Sequence, residues 1–307
     1  MRAFALPEQG AGPVVSEVET PQPAAGEVLV RVRSSSVNGF DLAVAAGHLA
    51  GMMEHRYPVV LGKDFAGTVE AVGEGVTRFT AGESVYGVVT KAHLGEGAFA
   101  DFVTVSDAVG IAALPEGVNT ASAGAVGLAG TAALDALATT APRAGETILV
   151  SGATGGVGAI AVQYAVAAGT RVIATARPGE EEAFVRRLGA HEAVDHTSDL
   201  AAQVRALAPE GVDVILHLAG DGPSLARLLA EKGRIASLLG FGADQHPAAT
   251  FVLATPVTET LDRLAGDLAA GLLTVPIART YPLAELPSAF GNFAGGTLGK
   301  IAVSVSS

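Results

Sequence analysis

The segment Thr147-Ile148-Leu149-Val150-Ser151-Gly152-Ala153-Thr154-Gly155-Gly156-Val157-Gly158 constrains this chain more than any other. An apolar β run ends in a glycine turn, an alanine-rich stretch follows, and a second β run arrives at Arg171–Thr175. Strand, turn, helix and strand in that order make a βαβ unit, and βαβ units build parallel sheets. The turn has the G-x-x-G-x-x-G spacing that lets backbone approach a pyrophosphate and aims a helix N-terminus at its charge. Gly152, Ala153, Thr154, Gly155, Gly156, Val157 and Gly158 are therefore expected to hold a dinucleotide. A glycine-rich strand–helix turn without a ligand is the plainer alternative.

The rest of the central region repeats the alternation. Strands are expected at 193–195, 212–218, 234–239 and 251–254. Helices are expected near 157–168, 180–188, 200–208, 223–229 and 257–270. The first third is different: short β runs at 27–33, 65–72, 83–89 and 98–105 lie between Gly/Pro turns, as in a compact, irregular barrel. With 307 residues the chain exceeds one typical core. Two domains are expected: residues 1–118 completed by 256–307, and a nucleotide-binding domain over 119–255.

The end of the second central strand, Ile173-Ala174-Thr175-Ala176-Arg177-Pro178, bears on the choice of cofactor. A NAD site usually places Asp or Glu there for the ribose hydroxyls, whereas an Arg accommodates a 2′-phosphate. No acid stands at this strand end, so Arg177 favours NADPH, although Glu180, Glu181 and Glu182 reduce the local positive potential. The chain has a formal net charge of -12 and no cysteine. Acidity opposes binding to nucleic acid or anionic membranes. The missing cysteines exclude disulfides, thiolate nucleophiles and cysteine-bound metal. The seven histidines show no paired ligand spacing; His191 and His196 fall at opposite ends of a short strand. Neither a signal peptide nor an uninterrupted membrane span is expected, which together with the cysteine count points to the cytoplasm.

Several further segments carry a resemblance. Val37-Asn38-Gly39-Phe40-Asp41, Pro58 to Gly67, Val69 to Val76, Gly97 to Asp101, Gly130-Thr131-Ala132-Ala133, the 152–158 turn and Leu298-Gly299-Lys300-Ile301 occur in the order found in the medium-chain dehydrogenase/reductase superfamily. The chain resembles its zinc-independent, zeta-crystallin-like quinone oxidoreductases over nearly its whole length. The resemblance implies a GroES-like β-barrel catalytic domain plus a Rossmann doubly wound parallel sheet, and a homodimer pairing through the region Ala236 to Phe251. It also implies an NADPH-dependent enzyme that reduces a quinone or an α,β-unsaturated carbonyl.

Site residues follow from the same resemblance. Asn38 is expected near the nicotinamide ribose and the substrate oxygen, although an Asx turn is its simplest role. Thr131, read as lying at a helix start, is expected under the nicotinamide ring, with N-capping as its plain alternative. Thr175, Arg177, His196, Leu218, Ala219, Leu239, Gly240, Phe241 and Lys300 complete the expected cofactor set. Asp41 and Asp64 are expected to organise turns. Zinc-using relatives place ligands near Gly39 and Lys63, where this chain offers none. Many relatives carry a tyrosine where Leu49 stands here; His48 is the local candidate to replace it as proton donor, with a solvated loop side chain as the plainer alternative. The insert 52–57 lengthens that loop. Two alternatives remain: an enoyl-thioester reductase of fatty-acid or polyketide type, and a non-catalytic nucleotide-binding protein.

Overall fold

The computed structural model describes residues 1–305. The chain divides into two units, one of residues 1–128 with the segment from Pro256 onward, the other Ala129–Thr255. The division falls inside a helix, Thr120–Thr140, later than the change of pattern near Asn119. The sequence does not delimit this helix, because alanines and glycines leave it apolar all round with no stripe to read. By length and composition it is apolar enough to cross a membrane, yet 67% of its apolar stretch is buried within the fold. Gly124 and Gly127 let its first half approach other backbone: a Cβ would lie 2.8 Å from the Ser34 carbonyl at one and 2.9 Å from the Gly87 carbonyl at the other.

The second unit is built on a six-stranded sheet. Its spatial order is Glu192–Val194, Arg171–Thr175, Thr147–Ser151, Val212–His217, Leu229–Ser237, Ala249–Phe251. Every neighbouring pair is parallel. The order reverses between Thr147–Ser151 and Val212–His217, which is the switch point of a doubly wound fold. Ile148, Leu149, Val150, Val172, Ile173, Val214, Ile215 and Leu216 are all fully buried. Unbroken apolar runs of this kind are what a sheet covered on both faces requires. Asp199 and Asp221 cap their helices, accepting from the backbone N–H of Ala202 and Ser224.

Two expectations need correction here. The fifth strand runs from Leu229 and stops at Ser237, so Leu239, Gly240 and Phe241 lie in the loop beyond it. The sixth strand is Ala249–Phe251, earlier than expected, because its register pairs Ile235 with Ala249.

The first unit centres on the long strand Glu27–Val37, which pairs antiparallel with Asp64–Val72, Phe102–Ser106 and Lys300–Ser304. Irregularities at Leu29/Val30 and Val32/Ser34 bend it, as strands in barrel walls are bent. Ile277–Pro282, Ser84–Val88 and Ile111–Ala113 extend the sheet to seven strands. A separate three-stranded sheet of Val14–Glu17, Arg2–Leu6 and Val59–Val60 lies outside the expected strands. The segment expected to begin a strand at Ala98 instead meets that sheet through Ala100 and Ala3. The core joins Phe4, Val30, Phe65, Phe99, Ile111, Leu286 and Ile301. Phe4, Phe99 and Phe290 form an aromatic cluster with centroids 5.4–6.5 Å apart, in the range where aromatic pairs attract.

Candidate functional site

Two glycines of the turn, Gly152 and Gly158, leave no room for a side chain. Gly152 has φ +85, and a Cβ there would lie 3.0 Å from the Ala219 side chain. At Gly158 a Cβ would fall 2.2 Å from the Gly152 carbonyl and 2.6 Å from Ala153 Cα. The helix Gly156–Ala167 therefore starts directly on the turn, with Gly155 as its extended N-cap and no side-chain cap on its first N–H groups. Such a start is a ready-made anion site. Thr175 Oγ1 accepts from the Gly152 N–H at 2.9 Å, and Ser151 Oγ donates to the Ala219 carbonyl at 2.7 Å. The structure thus brings together residues 152–158, Thr175, Leu218 and Ala219 at the carboxyl ends of adjacent strands. A tight glycine turn leading into an uncapped helix N-terminus fits the pyrophosphate of a dinucleotide.

Arg177 and His196 lie beyond the ends of the neighbouring strands, and both face Glu181. Arg177 Nη2 is 2.5 Å from Glu181 Oε1, and His196 Nε2 is 3.8 Å from Glu181 Oε2. Of the loop after the fifth strand, Leu239 is exposed, Gly240 has positive φ and Phe241 is buried. Phe241 stands edge-on to His217 with centroids 5.9 Å apart. No motif points to His217, which is buried and bonded to Ser237 Oγ at 2.9 Å and to the Gly220 carbonyl at 3.1 Å. It ties two strand ends together.

In the first unit the sequence-distant residues Asn38, Asp41, Asp64 and Lys300 form one buried polar cluster. Asp64 Oδ2 accepts from Ser36 Oγ at 2.6 Å, from Asn38 Nδ2 at 2.9 Å and from Lys300 Nζ at 3.4 Å. Asp64 Oδ1 accepts from the Leu128 N–H at 2.7 Å. Lys300 also donates to Asn38 Oδ1 at 2.5 Å and to the Val37 carbonyl at 3.3 Å. Its ammonium is therefore committed within its own unit. Asn38 spends its second amide hydrogen on the Ser36 carbonyl at 3.2 Å. Asp41 accepts from the Asn38 backbone N–H at 2.8 Å, which starts the helix Gly39–Ala45. Asp41 starts its helix, whereas Asp64 opens the strand Asp64–Val72, and its carboxylate joins Ser36, Asn38 and the Leu128 N–H and holds a buried ion pair with Lys300.

The remaining expected residues are placed differently. Thr131 lies inside the helix Thr120–Thr140, not at its start, and is fully buried. His48 is exposed in the turn after the helix Gly39–Ala45. Leu49 packs against the core beside Phe40 and Met53, as its apolar side chain requires. The 52–57 loop is tied down through the Arg56 N–H, which donates to the Leu94 carbonyl at 2.7 Å. Lys63, not singled out from sequence, has its ammonium 5.1 Å from the Phe40 ring centroid. Among the described residues, no group of three or more His, Cys, Asp or Glu is placed to hold a metal ion.

Burial pushes Asp41 up to about 7, and repulsion from Asp64 adds to this; the Asn38 N–H and the ammonium groups of Lys300 and Lys63 oppose it. Burial pushes Lys300 and Lys63 down, against the attraction of Asp64 and Asp41. An unfolded Asp titrates near its ordinary value of about 3.9. Between that value and about 7 the folded state binds the extra proton, so stability falls as pH rises through this window and is level above it. A tenfold difference in proton affinity between the folded and unfolded chain is worth roughly 1.4 kcal/mol. The melting temperature is expected to rise by about 2–5 °C from pH 7.5 to 5.5 relative to Asp41→Asn. Calorimetry of both proteins checks this; equal slopes against pH remove Asp41 as the source.

A tight glycine turn at the switch point of a doubly wound sheet, carried on a chain with a second, β-rich unit, has the architecture of a two-domain dehydrogenase. The family comparisons agree. The alcohol dehydrogenase GroES-like domain matches residues 24–116, and the zinc-binding dehydrogenase domain matches residues 156–261. The chain is 30% identical over 326 residues to the quinone oxidoreductase of Lama guanicoe, covering 98% of this chain and 96% of that protein. It is 34% identical over 298 residues to a mycocerosic acid synthase-like polyketide synthase of Mycobacterium tuberculosis, covering 87% of this chain but 13% of that protein. A mycobacterial protein solved in complex with NADPH superposes with a TM-score of 0.85 at 27% identity, covering 99% of this chain and 100% of that one. The chain belongs to the medium-chain dehydrogenase/reductase superfamily, in its quinone oxidoreductase-like branch, and spans about an eighth of the length of the polyketide synthases it also matches.

Proposed function

We propose that this enzyme is an NADPH-dependent, zinc-independent reductase that transfers hydride to a quinone or an α,β-unsaturated carbonyl. The observation that carries the cofactor is the tight turn at Gly152–Gly158 at the switch point of the sheet, which leads straight into a helix whose first N–H groups have no side-chain cap. The quinone oxidoreductase relatives support the substrate class. The nicotinamide supplies the hydride when bound. Residues 152–158 bind its pyrophosphate, and Leu218, Ala219 and the 239–241 loop line the way toward the reacting end. Arg177, with His196 beside it, takes the 2′-phosphate. Arg177→Ala is expected to weaken NADPH binding by roughly tenfold, the low end for a charged hydrogen bond at an exposed site, and to leave NADH nearly unchanged. Titration of both nucleotides by their own fluorescence checks it.

Asn38 polarises the substrate oxygen. Its 3.2 Å bond to the Ser36 carbonyl is the longer of its two amide bonds and the one a substrate oxygen replaces. Lys300 on its Oδ1 polarises the amide and strengthens those donors. Lys300 thereby serves the site through Asn38, and Thr131 serves by packing. The last proton comes from water or from His48, which is exposed to it. The cysteine-free composition suits chemistry without zinc and a reducing cytoplasm. The edge strand Ala249–Phe251, with Phe251 and Leu253 exposed, is the surface we assign to a homodimer.

The polyketide synthase relatives favour a second reading, an enoyl-thioester reductase. One experiment separates the two. The enzyme, exhaustively treated with chelator, is expected to oxidise NADPH with quinones and enones at its untreated rate. Preference for enoyl thioesters moves the assignment to the second reading. Loss of activity together with one stoichiometric zinc overturns the metal-free mechanism.

A further inference from the structure

The end of the strand Arg171–Thr175 carries no acid in sequence, yet the fold delivers one from the next helix. Glu181, in the first turn of Glu180–Arg187, reaches back over the strand end. Its Oε2 accepts the Arg177 backbone N–H at 2.7 Å, and its Oε1 accepts Arg177 Nε at 2.7 Å. The second guanidinium contact and the approach to His196 fall on the same carboxylate. Glu181 is the fixed member of this group, with its side chain 14% exposed against 62% for Arg177 and 48% for His196. Burial alone would raise its titration, but the Arg177 side chain and backbone donors outweigh it and hold it below the usual carboxylate range. Asp195 adds a second negative charge that Arg177 feels.

A 2′-phosphate entering this corner has to share Arg177 with a carboxylate already bonded to it, and meets that carboxylate's repulsion. A ribose 2′-hydroxyl meets no such penalty and finds an acceptor. We propose that Glu181 is a specificity-determining residue that limits the preference for NADPH and allows the same subsite to take the 2′-hydroxyl of NADH. The inference rests on the cofactor reading above.

The test is fluorescence titration of NADPH and NADH against the full-length protein and its Glu181→Gln and Glu181→Ala variants, with folding checked by circular dichroism. The ratio of the NADH to the NADPH dissociation constant is expected to rise about tenfold in both variants, the scale of one partly exposed charged contact. A ratio unchanged within about twofold, with both nucleotides still bound, overturns this inference and leaves the cofactor reading standing. Binding of neither nucleotide by the unmodified protein overturns both. A second measurement needs no variant: competition by 2′,5′-ADP and by ADP is expected to differ by about tenfold or less, and discrimination of about a hundredfold or more overturns the inference.

Discussion

Asp64→Asn is expected to lower the stability of the unit that holds it by about 3–5 kcal/mol, because it takes from the buried Lys300 ammonium the one carboxylate it is bonded to and leaves only the more distant Asp41 to oppose it. Lys300 is 3% exposed and Asp64 0%, so water cannot replace the lost partner. Asp64 also accepts from Ser36, Asn38 and the Leu128 N–H, and an amide presents a donor to at least one of them. Lys300→Met is expected to cost a similar amount for the reciprocal reason. The double variant Asp64→Asn with Lys300→Met is expected to recover part of the loss, since neither member of the ion pair is then left buried without the other. Denaturant unfolding of all four proteins measures the coupling. Additive losses mean that the ion pair does not hold the cluster together.

None of that cluster is readable from the sequence. Asn38 and Lys300 are 262 positions apart, and it is the antiparallel pairing of the last strand with the long one, Ile301 opposite Val37, that brings them together. The motif around each residue marks its importance, while partner and purpose depend on tertiary register. The parallel sheet is legible for the opposite reason. A strand buried on both faces must be apolar throughout, and that requirement is written locally at Ile148–Val150, Val172–Ala174 and Val214–Leu216. Strand ends are less legible where the chain leaves the sheet by a loop, as at Ser237.

The helix Thr120–Thr140 shows the limit of periodicity. Its alanines and glycines suit close approach on several sides, so no polar face marks its register, and Thr131 reads as a beginning although it is an interior position. Glu181 shows another limit. Its spacing from Arg177 is that of an ordinary surface pair, and the three adjacent glutamates read as a solvated helix start. Its burial and its bonds to the Arg177 backbone and side chain separate it from Glu180 and Glu182, and none of these is written in the spacing.

Asn38→Ala is expected to lower kcat with a good quinone by about 10²-fold, the scale set by removal of one oxyanion donor, while the dissociation constant for NADPH changes little. The split matters because Asn38 has two roles in the geometry. It bridges Lys300 and Asp64, so its loss also destabilises the cluster by about 1–3 kcal/mol through buried groups left unpaired. A purely structural role would lower the melting temperature while the folded fraction kept its full kcat. An oxyanion role lowers kcat in fully folded protein, well below the melting transition. Asn38→Asp sharpens the distinction: it keeps the acceptor toward Lys300 but removes the donor toward substrate, so kcat is expected to stay low although the Lys300 contact is kept. His48→Ala, which removes an exposed side chain that water can replace, is expected to have the smaller effect. Full activity in folded Asn38→Ala makes Asn38 a turn and cluster residue alone, and the polarising donor must then be sought among solvent or the groups around Lys63.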